Sequence, residues 1–401
     1  MPDPLFTSLR ETIASSSVPL VFERLIDGLR AERKLPQLFE AMLMRKRHEL
    51  GLPLEGTESI KDIPAEHQEQ VEQYYVEVCR TVGKLFLEKG DIAGAWPYLR
   101  AIDEPRDVAA AIAAWSPPEG WDRYQPGAPS DGYDQLDAII DISFHQGANP
   151  IRGYELILRH YGTCRAITTI EHQFPFRGDV KEACAALLVR QLYGELRSSL
   201  RADIARRDPG ATLAADASVA ALIDGRPWLF ENLGYHVDIS HLQSCVRVAS
   251  AGSDREVIAM AVEFCDYGRS LARDFQIHER PPFDDFYNDY RILLRALLGQ
   301  GVDGAARYFT SKADRNGADE DGHHFCGEVL VYLLARVGRP RDAIAAYRKY
   351  LAAVPGPLRI SPALIDLCRA AGDYEPLLAY SEERGDVLQF TLGLVERARS
   401  S

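Results

Sequence analysis

Histidine and carboxylate side chains gather in the middle of the chain. His145 and His160 flank the stretch that starts at Asn149-Pro150, and Glu171-His172 follows it. Tyr235-His236-Val237-Asp238-Ile239-Ser240-His241 then sets two histidines and a carboxylate within seven residues. Imidazole and carboxylate are ligands for zinc and similar divalent ions. A carboxylate that orients an imidazole also makes a general base. His145, His172, His236, Asp238 and His241 therefore form the candidate metal set of a metal-dependent, hydrolase-type enzyme. The same residues have a plainer reading. Ser240 with Gln243 three residues on is a capping box for a helix start, and Asp238 suits a turn or cap. Histidines brought together only by folding are not paired by their order in the chain. The expectation is structural histidines, with no metal and no cofactor.

Other groupings resolve in the same way. Asp131, Asp134, Asp137 and Asp141 are spaced three, three and four apart, which puts them on one face of a helix. That face is either a cation site or a solvated surface near a helix N-terminus, and the second is expected. Gly299-Gln300-Gly301-Val302-Asp303-Gly304 contains G-x-G-x-x-G. A dinucleotide fingerprint follows a strand, whereas the preceding YRILLRALL has helical spacing, so a glycine-rich turn between helices is expected. No P-loop, H-E-x-x-H or G-x-S-x-G occurs in the chain. Arg291 and Arg295 lie four apart, off the apolar stripe of Tyr290, Leu293, Leu294 and Leu297, where an arginine pair would clamp a carboxylate.

The elements that must carry these residues read as helices. In EVLVYLLARVGRPRDAIAAYRKYLAAVP (328–355), Leu330, Val331, Leu334 and Val337 make an apolar stripe. Gly338 ends that helix, Pro340 opens the next, and Ala343, Tyr347 and Tyr350 continue at helical spacing. Similar hairpins turn at Gly90, Gly162, Gly252, Gly301 and Gly372, and a long amphipathic helix covers 180–206. Residues 207–238 are less regular. The window 116–133 holds four prolines and three glycines with no apolar period, so it is read as a linker or a long loop pinned by Trp121 and Tyr124. No run alternates like a strand, and the fold class is all-α.

Composition narrows the function. The net charge of −13 and the lack of a basic stripe argue against a nucleic-acid partner. No apolar run approaches the roughly 20 residues that span a bilayer, so no membrane is expected. Asp3, Arg10 and Glu11 interrupt the start where an export signal would be apolar. The seven cysteines are scattered, odd in number and without a C-x-x-C pair, which fits a reducing cytoplasm better than a disulfide framework.

The turn glycines at 301, 338 and 372 are 37 and 34 residues apart, close to the period of about 34 of tetratricopeptide repeats. Tyr290, Leu293, Leu294, Leu297, Ala306 and Ala313, then Leu330, Val331, Leu334, Gly338, Ala343, Tyr347 and Pro355, match that family's packing positions in order. Residues 286–390 resemble the family; 70–102, through Gly83, Phe86, Gly90 and Ala95, resemble it more weakly. The family's tryptophan is absent, as is its Lys-and-Asn carboxylate pattern. The resemblance implies a helical-hairpin repeat array, a tetratricopeptide-like α-solenoid, degenerate in the middle. It also implies a concave groove for a protein or peptide, lined by Asn288, Arg291, Arg295, Glu328 and Tyr332. The expected organisation is an N-terminal helical unit (1–115), the stretch at 116–133, and a repeat region (134–401). The expected function is a non-enzymatic binding scaffold.

Overall fold

The structure, a computed structural model, describes residues 4–15, 17–55, 60–117, 130–319, 322–354 and 358–400. Among these the regular elements are all helical, with twenty α-helices and no strand. The fold class is all-α, as the helical spacing of the apolar residues predicts. The chain divides into two compact units, 1–165 and 166–401.

The first unit contains α1 (Pro4–Ser15), α2 (Val18–Ala31), α3 (Leu35–Glu49), α4 (Ala65–Glu88), α5 (Ile92–Ala101), α6 (Arg106–Ala114), α7 (Ser130–Ile140) and α8 (Pro150–Leu156). From α1 to α6 each helix packs on the next. The α4–α5 pair approaches closely because Gly83 has no Cβ: one added there would lie 2.6 Å from Leu99 Cγ. Ala95 is fully buried in the same contact. Asn149 caps α8 by accepting from the backbone N–H of Arg152, with Pro150 in the first turn, as their order predicts. Two π-helical segments, Asp141–His145 and Ile157–Tyr161, have no counterpart in the helical reading. α7 packs on α5, and Asn149 Nδ2 donates to the carbonyl of Ala109. The unit thus runs across 116–133 and ends at Arg165, inside α9 (Gly162–His172). Residues 118–129, with Trp121 and Tyr124, lie outside the described residues.

The second unit is built on α10 (Asp179–Arg207), which buries Leu188, Leu192, Leu196, Leu200 and Ile204 along one stripe. The helices α11 (Val219–Ile223), α12 (Ile239–Ala251) and α13 (Arg255–Ser270) pack on it. There follow α14 (Phe286–Leu297), α15 (Val302–Arg315), α16 (Phe325–Arg336), α17 (Pro340–Tyr350), α18 (Leu364–Ala371), α19 (Glu375–Arg384) and α20 (Val387–Ser400). From α12 to α20 each helix packs on its successor, and α14 also touches α12 and α16. α20 lies beyond the last hairpin read from the sequence.

One backbone motif closes several helices of the chain, among them α2, α3, α4, α5, α14, α16, α18 and α19, and three of its instances bear on the hairpin turns. The N–H of Asp91, Gln300 and Arg339 reach back to the carbonyls of Phe86, Arg295 and Leu334, while the glycine before each bonds one residue later. This is the Schellman arrangement, in which a left-handed residue satisfies the last carbonyls of a helix. Its glycine is Gly90, Gly299 and Gly338, with φ of 78°, 85° and 75°. That corrects the turn expected at Gly301, which instead serves as the N-cap of α15. The correction shifts the close-approach position. Ala95 and Ala343 stand four residues after the caps Asp91 and Arg339 and are fully buried. Four residues after Gly301 is Ala305, which is buried, while Ala306 is only half-buried.

Candidate functional site

The central histidines do not converge. His145 is exposed in the first unit, its ring against Phe144. In the second unit His172 is exposed at the end of α9, and His241 is half-buried in the first turn of α12. Asp238 is the N-cap of α12, accepting from the backbone N–H groups of Ser240 and His241. Of the two residues read as caps, Asp238 is the cap and Ser240 lies inside the first turn. Among the described residues, no group of three His, Cys, Asp or Glu side chains is placed to hold a metal ion. Two of the four aspartates turn to neighbours, Asp137 on α7 and Asp141 at the start of the π-helical segment. Asp137 accepts from the Tyr161 hydroxyl, and Asp141 accepts from Gln146 Nε2 at 2.6 Å. The side chain of Asp131 lies outside the described residues. The glycine-rich stretch at 299–304 joins α14 to α15, as expected of a turn between helices.

Of the four candidate histidines, His236 has the most developed polar environment among the described contacts. Its Nε2 lies 3.3 Å from Asp203 Oδ2 and its Nδ1 lies 3.1 Å from the Tyr267 hydroxyl. The backbone N–H of His236 donates to the same hydroxyl oxygen at 2.8 Å. This leaves the Tyr267 hydrogen for Nδ1 and puts the imidazole hydrogen on Nε2, facing the carboxylate. Burial pushes the His236 pKa down, and the bond to Asp203 recovers only part of it, so the ring is neutral. Burial opposes ionisation of Asp203, but Arg206 and His236 outweigh it and hold its carboxyl below the usual range. Asp203 also accepts from Arg207. With both ring nitrogens and both carboxylate oxygens in hydrogen bonds, the group braces α10, α13 and the loop before α12.

The residues expected to line a groove are tied to their own chain. Arg291 Nε donates to Asp266 Oδ1 at 2.5 Å, and Arg295 Nε donates to Gln300 Oε1 at 3.1 Å. Asn288 is half-buried on α14. Glu328 does not line a groove. It is fully buried and accepts from the backbone N–H of Arg359 at 2.7 Å and Ile360 at 3.0 Å. The chain after α17 folds back over the start of α16 and covers it. Tyr332 donates its hydroxyl to the carbonyl of Ser250 at 2.7 Å. Arg336 donates to the carbonyl of Gly252 and to the Tyr332 oxygen. A cation at the last carbonyls of α12 satisfies groups that the helix leaves open.

The helix end so braced, at Ala251 and Gly252, forms one wall of an open groove of about 460 Å3 between α9, α10 and α12. Ile170, Ala185, Val248 and Ala251 supply apolar surface, and Glu171, Asp179, Lys181, Glu182 and Arg247 supply charge. Arg247 is held between Glu279 at 3.1 Å and Glu171 at 3.5 Å. Glu182 accepts from the backbone N–H of Ser253, which joins the start of α10 to the end of α12. A second cleft, between α15 and α17, is crossed by Arg339–Asp303 and Lys349–Asp314 ion pairs at 2.8 and 2.6 Å. These two pairs spend four of its charges internally. Sequence reasoning missed the first groove because its walls come from three separate helices. The one local signal was Ala251-Gly252 at a helix end, where small side chains leave room.

Comparison of the chain with protein-family models, with curated proteins and with solved structures finds no match.

Proposed function

We propose that the chain is a non-enzymatic scaffold, an array of helical hairpins similar to tetratricopeptide repeats, that holds a protein or peptide segment in the groove between α9, α10 and α12. The observation that carries this reading is the braced wall. Tyr332 and Arg336, from α16, fix the last turn of α12 through the carbonyls of Ser250 and Gly252. A groove held in shape before a ligand arrives loses less ordering entropy on binding. Apolar surface inside a charged rim suits a peptide side chain anchored at its centre and oriented at its edges. The recurring Schellman turns and the contacts of α14 with both α12 and α16 support a repeating stack, whose extended faces are commonly used for recognition. The neutral, fully bonded His236 gives no matching support to acid–base chemistry.

The test is Ala251→Trp, which fills the groove from an exposed position. Affinity capture from native-cell extract is compared between this variant and the original chain at equal folded concentration. The reading expects at least one protein retained by the original chain and lost from the variant. Identical captured sets would overturn it.

A further inference from the structure

Residues 231–237 lead into α12 with most of their side chains in water. Glu231, Asn232, Leu233 and Tyr235 are exposed, Leu233 at 50% and Tyr235 at 57%. The Tyr235 ring meets Phe275 edge to face. Asn232 and Leu233 carry φ of 55° and 59°. That conformation is unfavourable for a residue with a Cβ and persists only where the surroundings enforce it. His236 supplies the enforcement. Its side chain is 6% exposed and is bonded on both sides, to Asp203 of α10 and to Tyr267 of α13. An open cleft of about 420 Å3 lies beside it, between Leu229, Gly234 and Tyr235 on one side and Asp203, Arg206 and Arg207 of α10 on the other.

The bonds at His236 fit one protonation state. The Tyr267 oxygen accepts the backbone N–H of His236 and gives its own single hydrogen to Nδ1. A proton on Nδ1 turns that atom into a donor. It then competes with the backbone N–H for one oxygen, and the hydroxyl hydrogen loses its acceptor. Tyr267 is fully buried, its ring against Phe230, so water does not replace the lost acceptor. Asp203 offers the charged ring a carboxylate, but one shared with Arg206 and Arg207. The groups facing the ring are thus Asp203, Arg206 and Arg207 from α10, Tyr267 from α13 and the uncharged Phe230. We propose that His236 is a proton-operated latch: a proton on its ring releases residues 231–237 from α10 and α13 and widens the cleft they border. Burial resists charge on the latched ring, whereas a released ring titrates near the ordinary 6.5. Release therefore takes up a proton and grows as pH falls below that value, by up to about tenfold per unit. Asn232 and Leu233 lose their strain in the same step. The latch does not involve the groove between α9, α10 and α12.

Hydrogen exchange of the full chain at about pH 7.5 and about pH 5.5, corrected for the intrinsic pH dependence of amide exchange, tests this. The expected result is opening of residues 231–237 about tenfold more often at the lower pH, while α10, α12 and α13 keep their protection. His236→Gln has no titrating ring and shows equal loop protection at both pH values. Imidazole nitrogen shifts of the original chain need no variant. They should place the hydrogen on Nε2 at the higher pH and show a second proton taken up over the range in which the loop opens. Loop protection that is the same at both pH values would overturn the latch, as would a ring that protonates with the loop still closed. A pH response that persists in His236→Gln would overturn it by assigning the response to another group. Protection lost from α10 and α13 together with the loop would overturn it by making the event an unfolding of the unit.

Discussion

Lys312 Nζ lies 2.7 Å from Asp289 Oδ2, with the carboxylate fully buried and the ammonium nearly so. The pair joins α15 to α14. The ammonium also donates to the carbonyl of Pro282 and to Asp284 Oδ1, and Asp289 accepts from the Tyr308 hydroxyl and the backbone N–H of Asp285. Every hydrogen of the ammonium is used, which ties down the loop before α14. Burial disfavours the charged lysine, but its bonds to Asp284 and Asp289 outweigh that and raise its pKa. Removing one member of such a pair strands a buried charge and costs about 3–5 kcal/mol. Lys312→Met should therefore be strongly destabilising by urea unfolding. Adding Asp289→Asn should recover part of the loss, because the amide still accepts from Tyr308. Additive losses in the double variant would show that the two groups are not coupled.

His236 should make stability fall on mild acidification. Its pKa is lowered from 6.5 in the folded chain by burial. Below that value the unfolded chain takes up a proton that the folded one resists, so the unfolded state binds more protons and stability rises with pH. The contribution is complete above about 6.5 and is lost as pH falls toward the folded value. His236→Gln carries no titrating ring. Unfolding curves at a series of pH values should show a slope for the original chain that is shallower in the variant. Parallel curves would mean that the ring titrates normally. Chelator should leave the melting temperature unchanged, and a large drop would restore a metal to the central histidines.

The hairpin register predicts a contrast between neighbours. Ala305→Leu and Ala343→Leu should each cost about 1–3 kcal/mol, because both force extra methylenes into a closed helix contact. Ala306→Leu, one residue on and half-buried, should cost less. Arg295→Ala should stay within about 0.5 kcal/mol, as for a surface side chain. Denaturant unfolding of the four variants distinguishes the N-cap register from one counted from Gly301, which would make Ala306 the most sensitive.

The cap of α12 can be tested directly. Asp238 accepts from Ser240 and His241, so Asp238→Ala should cost about 1 kcal/mol. Ser240→Ala removes only an exposed hydroxyl that donates to Asp238 at 2.5 Å, and should cost less. The reverse order of melting temperatures would return the cap to Ser240.

Local features of this chain were legible because their causes are local. A helix declares itself through residues three and four apart, so the all-α class, the Asn149-Pro150 start and the turn at Gly338 all follow from a few neighbouring side chains. The burial of Ala95 and Ala343 follows in the same way, since a small residue at that offset from the cap lets two adjacent helices approach. The turn at Gly299 was misplaced by two residues because two nearby glycines offer the same freedom. Only the hydrogen-bond pattern of the folded backbone tells a Schellman glycine from an N-cap. Polar partners were decided by tertiary structure. Glu328 and Tyr332 lie on one helix, yet one is sealed under the chain at 359–360 and the other reaches Ser250. His236 finds Asp203 across 33 residues, and the groove takes its walls from α9, α10 and α12. Periodicity specifies which face of a helix turns inward. What that face and its polar edges meet depends on which distant helix packs there, and no spacing along the chain carries that information.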